Sequence, residues 1–262
     1  MQIVTGSGPL FPDTLALGDC LEVMRRIPDG SVDCILTDPP YGTTAAPWDS
    51  VIPFDAMWQE CNRVIKPGRA IVLFCTQPFT TALIASNLRN YKYSWVWVKN
   101  RTTGFNNAKN RPLKAKEDIA VFNTTSYNPQ GAIPFGKSVH NSIDKLTHMR
   151  CPTAQNGGAY KTLSYVREFT NYPNNLLYFN CVSKPIHNTQ KPVKLCEYLI
   201  KTYTNPGELV LDITAGSMTT AAAATRCGRR YICIEKDITY FMKGADRVRA
   251  AERERQVSGG AV

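Results

Sequence analysis

The chain has 262 residues, 43% hydrophobic and 20% charged, with a formal net charge of +10. That is enough to bury the core of one large α/β domain, with or without an inserted lobe, and apolar runs such as Ala70–Cys75 are too short to cross a bilayer. Met1 to Phe11 lacks the basic start of a secretory leader, and the 9 cysteines form no Cys-x-x-Cys pair, which together fit a reduced, cytoplasmic protein. Positive charge is concentrated in the middle of the chain. Residues 87–194 carry 16 Lys/Arg against 4 Asp/Glu, whereas residues 1–86 carry 5 against 9. A local basic excess points to a polyanion or to a solvated lobe.

In chain order, a short helix is expected over Leu21–Ile27, closed by the turn Pro28-Asp29-Gly30. A buried strand follows at Val32–Leu36, then a helix over Phe54–Ile65 stopped by Lys66-Pro67-Gly68, and a strand at Ala70–Phe74. Thr80–Leu88 reads as a helix, with strands at Tyr93–Val98 and Ile119–Phe122. Residues 123–186, rich in Asn, Pro, Gly, Tyr and Lys, show no sustained period and read as a functional insertion or a partly mobile lobe. Regular alternation returns with helix Val193–Thr202, strand Leu209–Asp212, helix Met218–Cys227, strand Tyr231–Ile234 and helix Ile238–Arg253. The segment 256–262 is expected to fray. Strands alternating with helices imply a mostly parallel sheet covered on both faces.

Two constellations sit at strand ends, where open α/β sheets bind ligands. The first is Thr37-Asp38-Pro39-Pro40-Tyr41-Gly42, which is also turn-forming on its own account. An exocyclic base amine is a weak nucleophile because its lone pair is delocalised into the ring. A carboxylate at Asp38 can accept one of its hydrogens, the carbonyl of Pro39 the other, and Tyr41 offers a flat face for stacking. Methylation at a ring carbon would call for a Pro-Cys nucleophile, and the chain has no such dipeptide. The second constellation runs from Val210 to Thr220 as strand, tight loop and helix, with Glu235 closing the next strand. It suits a nucleoside cofactor whose ribose is held by a carboxylate, or it is a plain strand–turn–helix. His148-x-x-Cys151 is the one close His/Cys pair, with no second pair at zinc-ligand spacing, so no metal is expected. Trp48-Asp49 lies in a loop that either orders over a substrate or is ordinary surface.

Taken together, these segments resemble the amino-group (adenine-type) DNA methyltransferases of the permuted β arrangement. Asp38-Pro39-Pro40-Tyr41 matches their catalytic motif, and Gly18-Asp19-Cys20-Leu21 the segment leading into it. Val64 to Gly68 and Trp97-Val98-Lys99-Asn100 are similar to their later helix end and strand. His187-Asn188-Thr189-Gln190-Lys191-Pro192 matches an element lining the cofactor pocket, and Asp212 to Thr220 aligns with the cofactor loop. Ile213-Thr214 and Met218 depart from that loop's pattern; a Met there could narrow the pocket, or mark a catalytically silent DNA-binding relative.

The resemblance implies a Rossmann-like S-adenosylmethionine-dependent methyltransferase fold with circularly permuted motif order. Its catalytic half would span 1–122, a target-recognition insertion 123–186 and its cofactor half 187–255. It implies catalytic roles for Asp38, Pro39, Pro40 and Tyr41. Cofactor contacts would come from Asp19, Cys20, His187, Thr189, Gln190, Lys191, Asp212, Thr214, Ala215, Gly216, Ser217, Thr219, Thr220 and Glu235. The substrate implied is adenine in double-stranded DNA, with the cytosine amine as the alternative. Lys99, Arg101, Lys109, Arg111, Lys114, Lys116, Lys137 and Lys161 are the candidate DNA contacts, and the protein is expected to be a monomer or homodimer.

Overall fold

The computed structural model describes residues 1–140 and 164–259, apart from Ser7, Ala45, Pro47, Ser126, His187 and Asn188. They form two compact units, Met1–Asn128 with Asn175–Val262, and Pro129–Asn174. The chain builds β1 (Gln2–Val4), β2 (Thr14–Leu17), α1 (Cys20–Met24), β3 (Val32–Thr37), α2 (Phe54–Val64), β4 (Ile65–Cys75), α3 (Phe79–Ser86), β5 (Tyr91–Thr103) and β6 (Lys114–Phe122). It continues with β7 (Ile133–His140), β8 (Ser164–Thr170), β9 (Leu176–Tyr178), α4 (Val193–Tyr203), β10 (Leu209–Asp212), α5 (Thr219–Arg226), β11 (Arg230–Glu235) and α6 (Ile238–Gly259).

The larger unit is organised on a nine-stranded sheet of order β1-β2-β11-β10-β3-β4-β6-β5-β9. Neighbours from β1 to β4 run parallel; β6 is antiparallel to both β4 and β5. Because successive strand side chains point to opposite faces, each central strand feeds two cores. Cys34 and Leu36, Val72 and Phe74, and Tyr231 and Cys233 pack with Leu199, Ala223 and Phe241 of α4, α5 and α6. Val32 and Ile35, Ile71 and Leu73, and Ile232 and Ile234 pack with Val23, Met57 and Leu83 of α1, α2 and α3. The expected α/β architecture, a mostly parallel sheet with helices on both faces, is the one observed.

The chain leaves β3 towards β4 through α2 on one face, and leaves β10 towards β11 through α5 on the other. Adjacent strands β3 and β10 therefore flank the point where the connections reverse, and open α/β sheets form their ligand crevice at the carboxyl ends of such strands.

Several expected boundaries move. Lys66-Pro67-Gly68 does not break the chain before β4. It sits in an irregularity, since pairing jumps from Val32↔Ile65 to Cys34↔Ala70, and Lys66 and Arg69 there reach the buried Asp33. Strands β5 and β6 outrun their apolar stretches, because their outer residues are exposed and held by backbone pairing that hydropathy does not register. Within the smaller unit, β7 and β8 form an antiparallel pair inside the segment read as irregular. Helix α6 continues past Arg253 to Gly259, into the segment expected to fray. Short strands β1 and β2 were not expected at all.

Candidate active site

Asp38 follows directly on β3, whose six residues are all buried. Thr37, the last of them, donates its hydroxyl to Asp212 Oδ1 at 2.7 Å, and the Thr37 and Thr214 hydroxyls lie 2.7 Å apart. Thr214 also donates to the Asp38 carbonyl at 3.1 Å. These contacts stitch the end of β3 to the end of β10, so the Asp-Pro-Pro-Tyr turn and the Gly216 loop share one crevice although they are far apart in sequence.

The Asp38 carboxylate has two partners. Its Oδ1 accepts from the Tyr41 hydroxyl at 2.5 Å, and its Oδ2 from the Lys191 ammonium. The Tyr41 ring is backed by Phe79, with centroids 5.1 Å apart. Burial and the neighbouring carboxylate push the Tyr41 phenol well above its ordinary pKa, so it stays protonated and donates. Lys191, 7% exposed, also faces Glu117 Oε2 at 3.3 Å, and Glu117 in turn pairs with Lys99. Burial opposes the ammonium charge, but Asp38 and Glu117 more than offset it and hold Lys191 above its usual range. Burial likewise works against the Glu117 carboxylate, and the two lysines outweigh it and lower its pKa. An ion-pair chain Asp38–Lys191–Glu117–Lys99 results. Glu117 was not foreseen; an acid in the Lys-Glu-Asp run that leads into an apolar stretch carries no motif.

Asp49 was foreseen only as part of an undecided loop. It is buried, and its carboxylate accepts from the backbone N–H groups of Tyr41, Gly42, Thr43 and Thr44 at 2.7–2.9 Å. Burial alone would raise its pKa; hydrogen bonds from the Thr44 hydroxyl and from the N–H groups of Gly42, Thr44 and Thr43 instead hold it below the usual range. Gly42 sits at φ 65°, and a Cβ there would meet Val51 Cγ2 at 2.8 Å, so this tight turn requires glycine.

On the cofactor-loop side, Glu235 ends β11 and accepts from Gly216 N at 2.6 Å and Asp237 N at 2.8 Å. Burial raises its pKa against those hydrogen bonds. Nothing stands within 4 Å of where a Gly216 Cβ would be, so the space over that loop is open. Asp19 N-caps α1 at the end of β2, accepting from Leu21 N at 3.0 Å, and lies 3.8 Å from Lys236 beside Glu235. Cys20 is buried in the core against α2, where burial and Asp19 push its thiol up to about 11. Ser217 and Thr219 are held by Arg247, which reaches the Ser217 carbonyl at 3.1 Å and the Thr219 hydroxyl at 2.9 Å. Ala215 is buried, and Gln190 accepts from Ile186 N at 2.8 Å beside the exposed Thr189. His187 lies outside the described residues.

Met218 does not narrow the crevice. Its backbone is left-handed at φ 56°, and its fully buried side chain turns back onto α6, where a Cβ on Gly244 would meet Met218 Cγ at 2.4 Å. The thioether fills the space that Gly244 leaves. The backbone conformation costs about 1–2 kcal/mol for a non-glycine residue, a cost that burial of the side chain can offset.

Asp212 is buried, with its pKa raised from 3.8 to about 6 by burial, against hydrogen bonds from Thr220, Thr37 and Thr214. A raised carboxyl pKa means that the folded molecule holds the proton more firmly than the unfolded chain. Stability is therefore lost as pH rises from about 4 to about 6, by about 3 kcal/mol. The difference in urea midpoint between wild type and Asp212→Asn should change with pH across that window; a constant difference would refute the assignment.

Of the candidate cations, Arg101, Lys109, Arg111 and Lys114 are exposed. Lys116 is exposed but paired with Asp118 at 2.6 Å. Lys99 is drawn inward onto Glu117 and lies 5.0 Å from the Trp97 ring centre, which sets it apart from the exposed group. Lys137 lies in β7, and Lys161 is outside the described residues, as are His148 and Cys151. Among the described residues, no group of three or more His, Cys, Asp or Glu is placed to hold a metal, and no helix is long and apolar enough to cross a membrane. The described cysteines are all free thiols.

A family model described as DNA methylase matches residues 32–245. The DNA adenine methyltransferase YhdJ of Escherichia coli K12 is 27% identical, over 91% of this chain and 83% of its own. Among solved structures, the PvuII DNA methyltransferase (cytosine-N4-specific) superposes with a TM-score of 0.64 at 17% identity, covering 97% of this chain and 94% of its own. A complex of M1.HpyAVI with SAM superposes at 0.56 and 23% identity, covering 89% and 98%. These likenesses carry the fold.

Proposed function

The chain belongs to the DNA methylase family, and from that premise we propose that it transfers a methyl group from S-adenosylmethionine to the exocyclic amino group of adenine in double-stranded DNA. One observation carries this reading: the Asp-Pro-Pro-Tyr turn and the Gly216 loop are joined through Thr37, Asp212 and Thr214 in a single crevice.

The crevice fits the donor. Gly216 leaves open space, Glu235 offers a carboxylate for ribose hydroxyls, and Asp19 lies at the same edge, near the cofactor adenine. Bound there, S-adenosylmethionine supplies an electrophilic sulfonium methyl. Everything else is positioning by the chain. Asp38 and the Pro39 carbonyl accept hydrogen bonds from the two amine hydrogens, which draws the nitrogen lone pair out of conjugation and aims it in line; the amine gives up one of these protons to solvent as the methyl takes its place. Pro40 stiffens the turn, and Tyr41 stacks on an extruded base. Extrusion costs about a few kcal/mol, and fixed alignment supplies most of the rate. Arg101, Lys109, Arg111 and Lys114 contact phosphates, and the segment 123–186 reads the target sequence.

Adenine is supported by the 27% identity to YhdJ and by the resemblance, in which adenine-type enzymes usually open the catalytic motif with Asp, as Asp38 does here, and cytosine-type ones often with Ser. Cytosine is the second reading, favoured by the likeness to the N4-specific PvuII enzyme. Incubating the protein with labelled donor and mixed-sequence duplex DNA, then identifying the modified nucleoside by mass spectrometry, decides between them. N6-methyladenine is the expected product; N4-methylcytosine supports the second reading, and no labelled DNA sinks both.

Asp49→Ala frees four N–H groups in the catalytic loop. We expect kcat to fall about tenfold, with a stability loss of about 1–2 kcal/mol, measured by steady-state transfer and thermal melting. Unchanged kcat would show that loop order is not required.

A further inference from the structure

We infer that Phe105, at the tip of the arm between β5 and β6, is an apolar wedge that inserts into the base stack of duplex DNA. The inference rests on the DNA reading above and adds a site to it. Residues 100–112 are all exposed. Arg101, Lys109, Arg111, Lys114 and Lys116 lie between Asn100 and Glu117 with no acidic residue among them. At the tip, Gly104 at φ 95° turns the chain into the short 3-10 helix Phe105–Asn107. Hydrogen bonds from Asn107 N to the Gly104 carbonyl and from Ala108 N to the Phe105 carbonyl, both 3.0 Å, close this turn. The turn is ordered, yet it leaves Phe105 68% exposed.

Isolated apolar residues on a surface need no explanation; the position of this one does. Asp118 of β6 pairs with Cys75, the last residue of β4. The residues before Asp118 therefore extend past the carboxyl end of β4, on the side of the sheet where Asp38 follows β3. The root of the arm is also tied to the catalytic turn by the ion-pair chain Lys99–Glu117–Lys191–Asp38. A hydrogen-bonded turn that presents one aromatic ring among basic side chains matches a partner that is anionic outside and flat and apolar within. A base stack between phosphate strands has that character, and apolar side chains that enter it unstack a base step.

The test uses the full chain and Phe105→Ala, Phe105→Trp and Lys109→Ala/Arg111→Ala variants, with a mixed-sequence duplex and a relaxed plasmid as probes. Because Phe105 is exposed, melting temperatures should match wild type. Phe105→Ala should weaken duplex affinity about tenfold, with no change in its salt dependence. It should also abolish the plasmid unwinding that wild type and Phe105→Trp produce after topoisomerase relaxation. The double cation variant should instead lower the slope of log affinity against log salt by about 2. If wild type binds duplex DNA and Phe105→Ala matches it in affinity and unwinding, the wedge is overturned. It is equally overturned if Phe105→Ala alters only the sedimentation of the free protein, which would make the tip a contact between copies. Failure of wild type to bind duplex DNA at all would instead strike the functional reading above.

Discussion

Asp38→Ala should reduce methyl transfer at least about 10²–10³-fold in kcat, the scale of losing a preorganised hydrogen-bond partner in a shielded site, while affinity for S-adenosylmethionine stays within about twofold. The carboxylate accepts from Tyr41 and Lys191 rather than from the Gly216 loop; its backbone carbonyl, which accepts from Thr214, survives the substitution. Its removal also deprives the buried Lys191 of one of two anionic partners, so some stability will be lost. Asp38→Asn separates the two effects. It keeps the shape of the side chain but lacks the charge, and should remain folded yet be nearly as inactive. Calorimetric titration with S-adenosylmethionine and labelled methyl transfer give both numbers. Activity above about a tenth of wild type in the alanine variant would remove Asp38 from the mechanism.

The second large effect is at Lys191. The family resemblance places this lysine in the cofactor wall, and its ammonium pairs with Asp38 and Glu117. Lys191→Met leaves two carboxylates facing each other across an apolar side chain, and stability should fall by about 3–5 kcal/mol. The raised pKa of Lys191 means that its contribution is fully present below its unfolded value and is lost only at strongly alkaline pH. The lowered pKa of Glu117 means that its part is lost as pH falls below the ordinary carboxylate range. Kinetics then distinguish the roles, measured well below the melting temperature of each variant. If Lys191 positions Asp38, Lys191→Met lowers kcat about 10²-fold with little change in KM for the donor. Lys191→Arg, which keeps the charge, should recover part of kcat. A raised KM for the donor with kcat intact would return Lys191 to the cofactor wall. Glu117→Gln leaves the Asp38–Lys191 pair in place and should cost less than Lys191→Met on both measures.

The elements carrying the site were legible because their signals are local. Val32–Leu36 and Leu209–Asp212 are apolar runs of strand length, and the Asp-Pro-Pro-Tyr and Ala215-Gly216 turns follow them directly. The two-sided burial of a parallel sheet writes itself into such runs. What stayed hidden depends on pairing across the sheet. The bulge at Lys66-Pro67-Gly68 looks like a chain break until Val32 and Cys34 supply its partners. Met218, standing where a glycine was expected, looks like an obstruction until Gly244 is seen to leave room for it.

By itself, then, the amino-acid sequence determined the alternation of strands and helices, the order of the two turns and the location of the positive charge, since each rests on hydropathy period, turn chemistry or counting. Only the tertiary structure decided that both turns share a crevice, that Asp49 clamps the catalytic loop, that Lys191 and Glu117 join Asp38 in one ion-pair chain, and that Lys99 turns inward while its basic neighbours stay exposed. Those contacts join residues that in several cases lie more than a hundred positions apart, as Asp38 and Lys191 do. Their strength comes from burial away from water, which a linear pattern of residues does not encode.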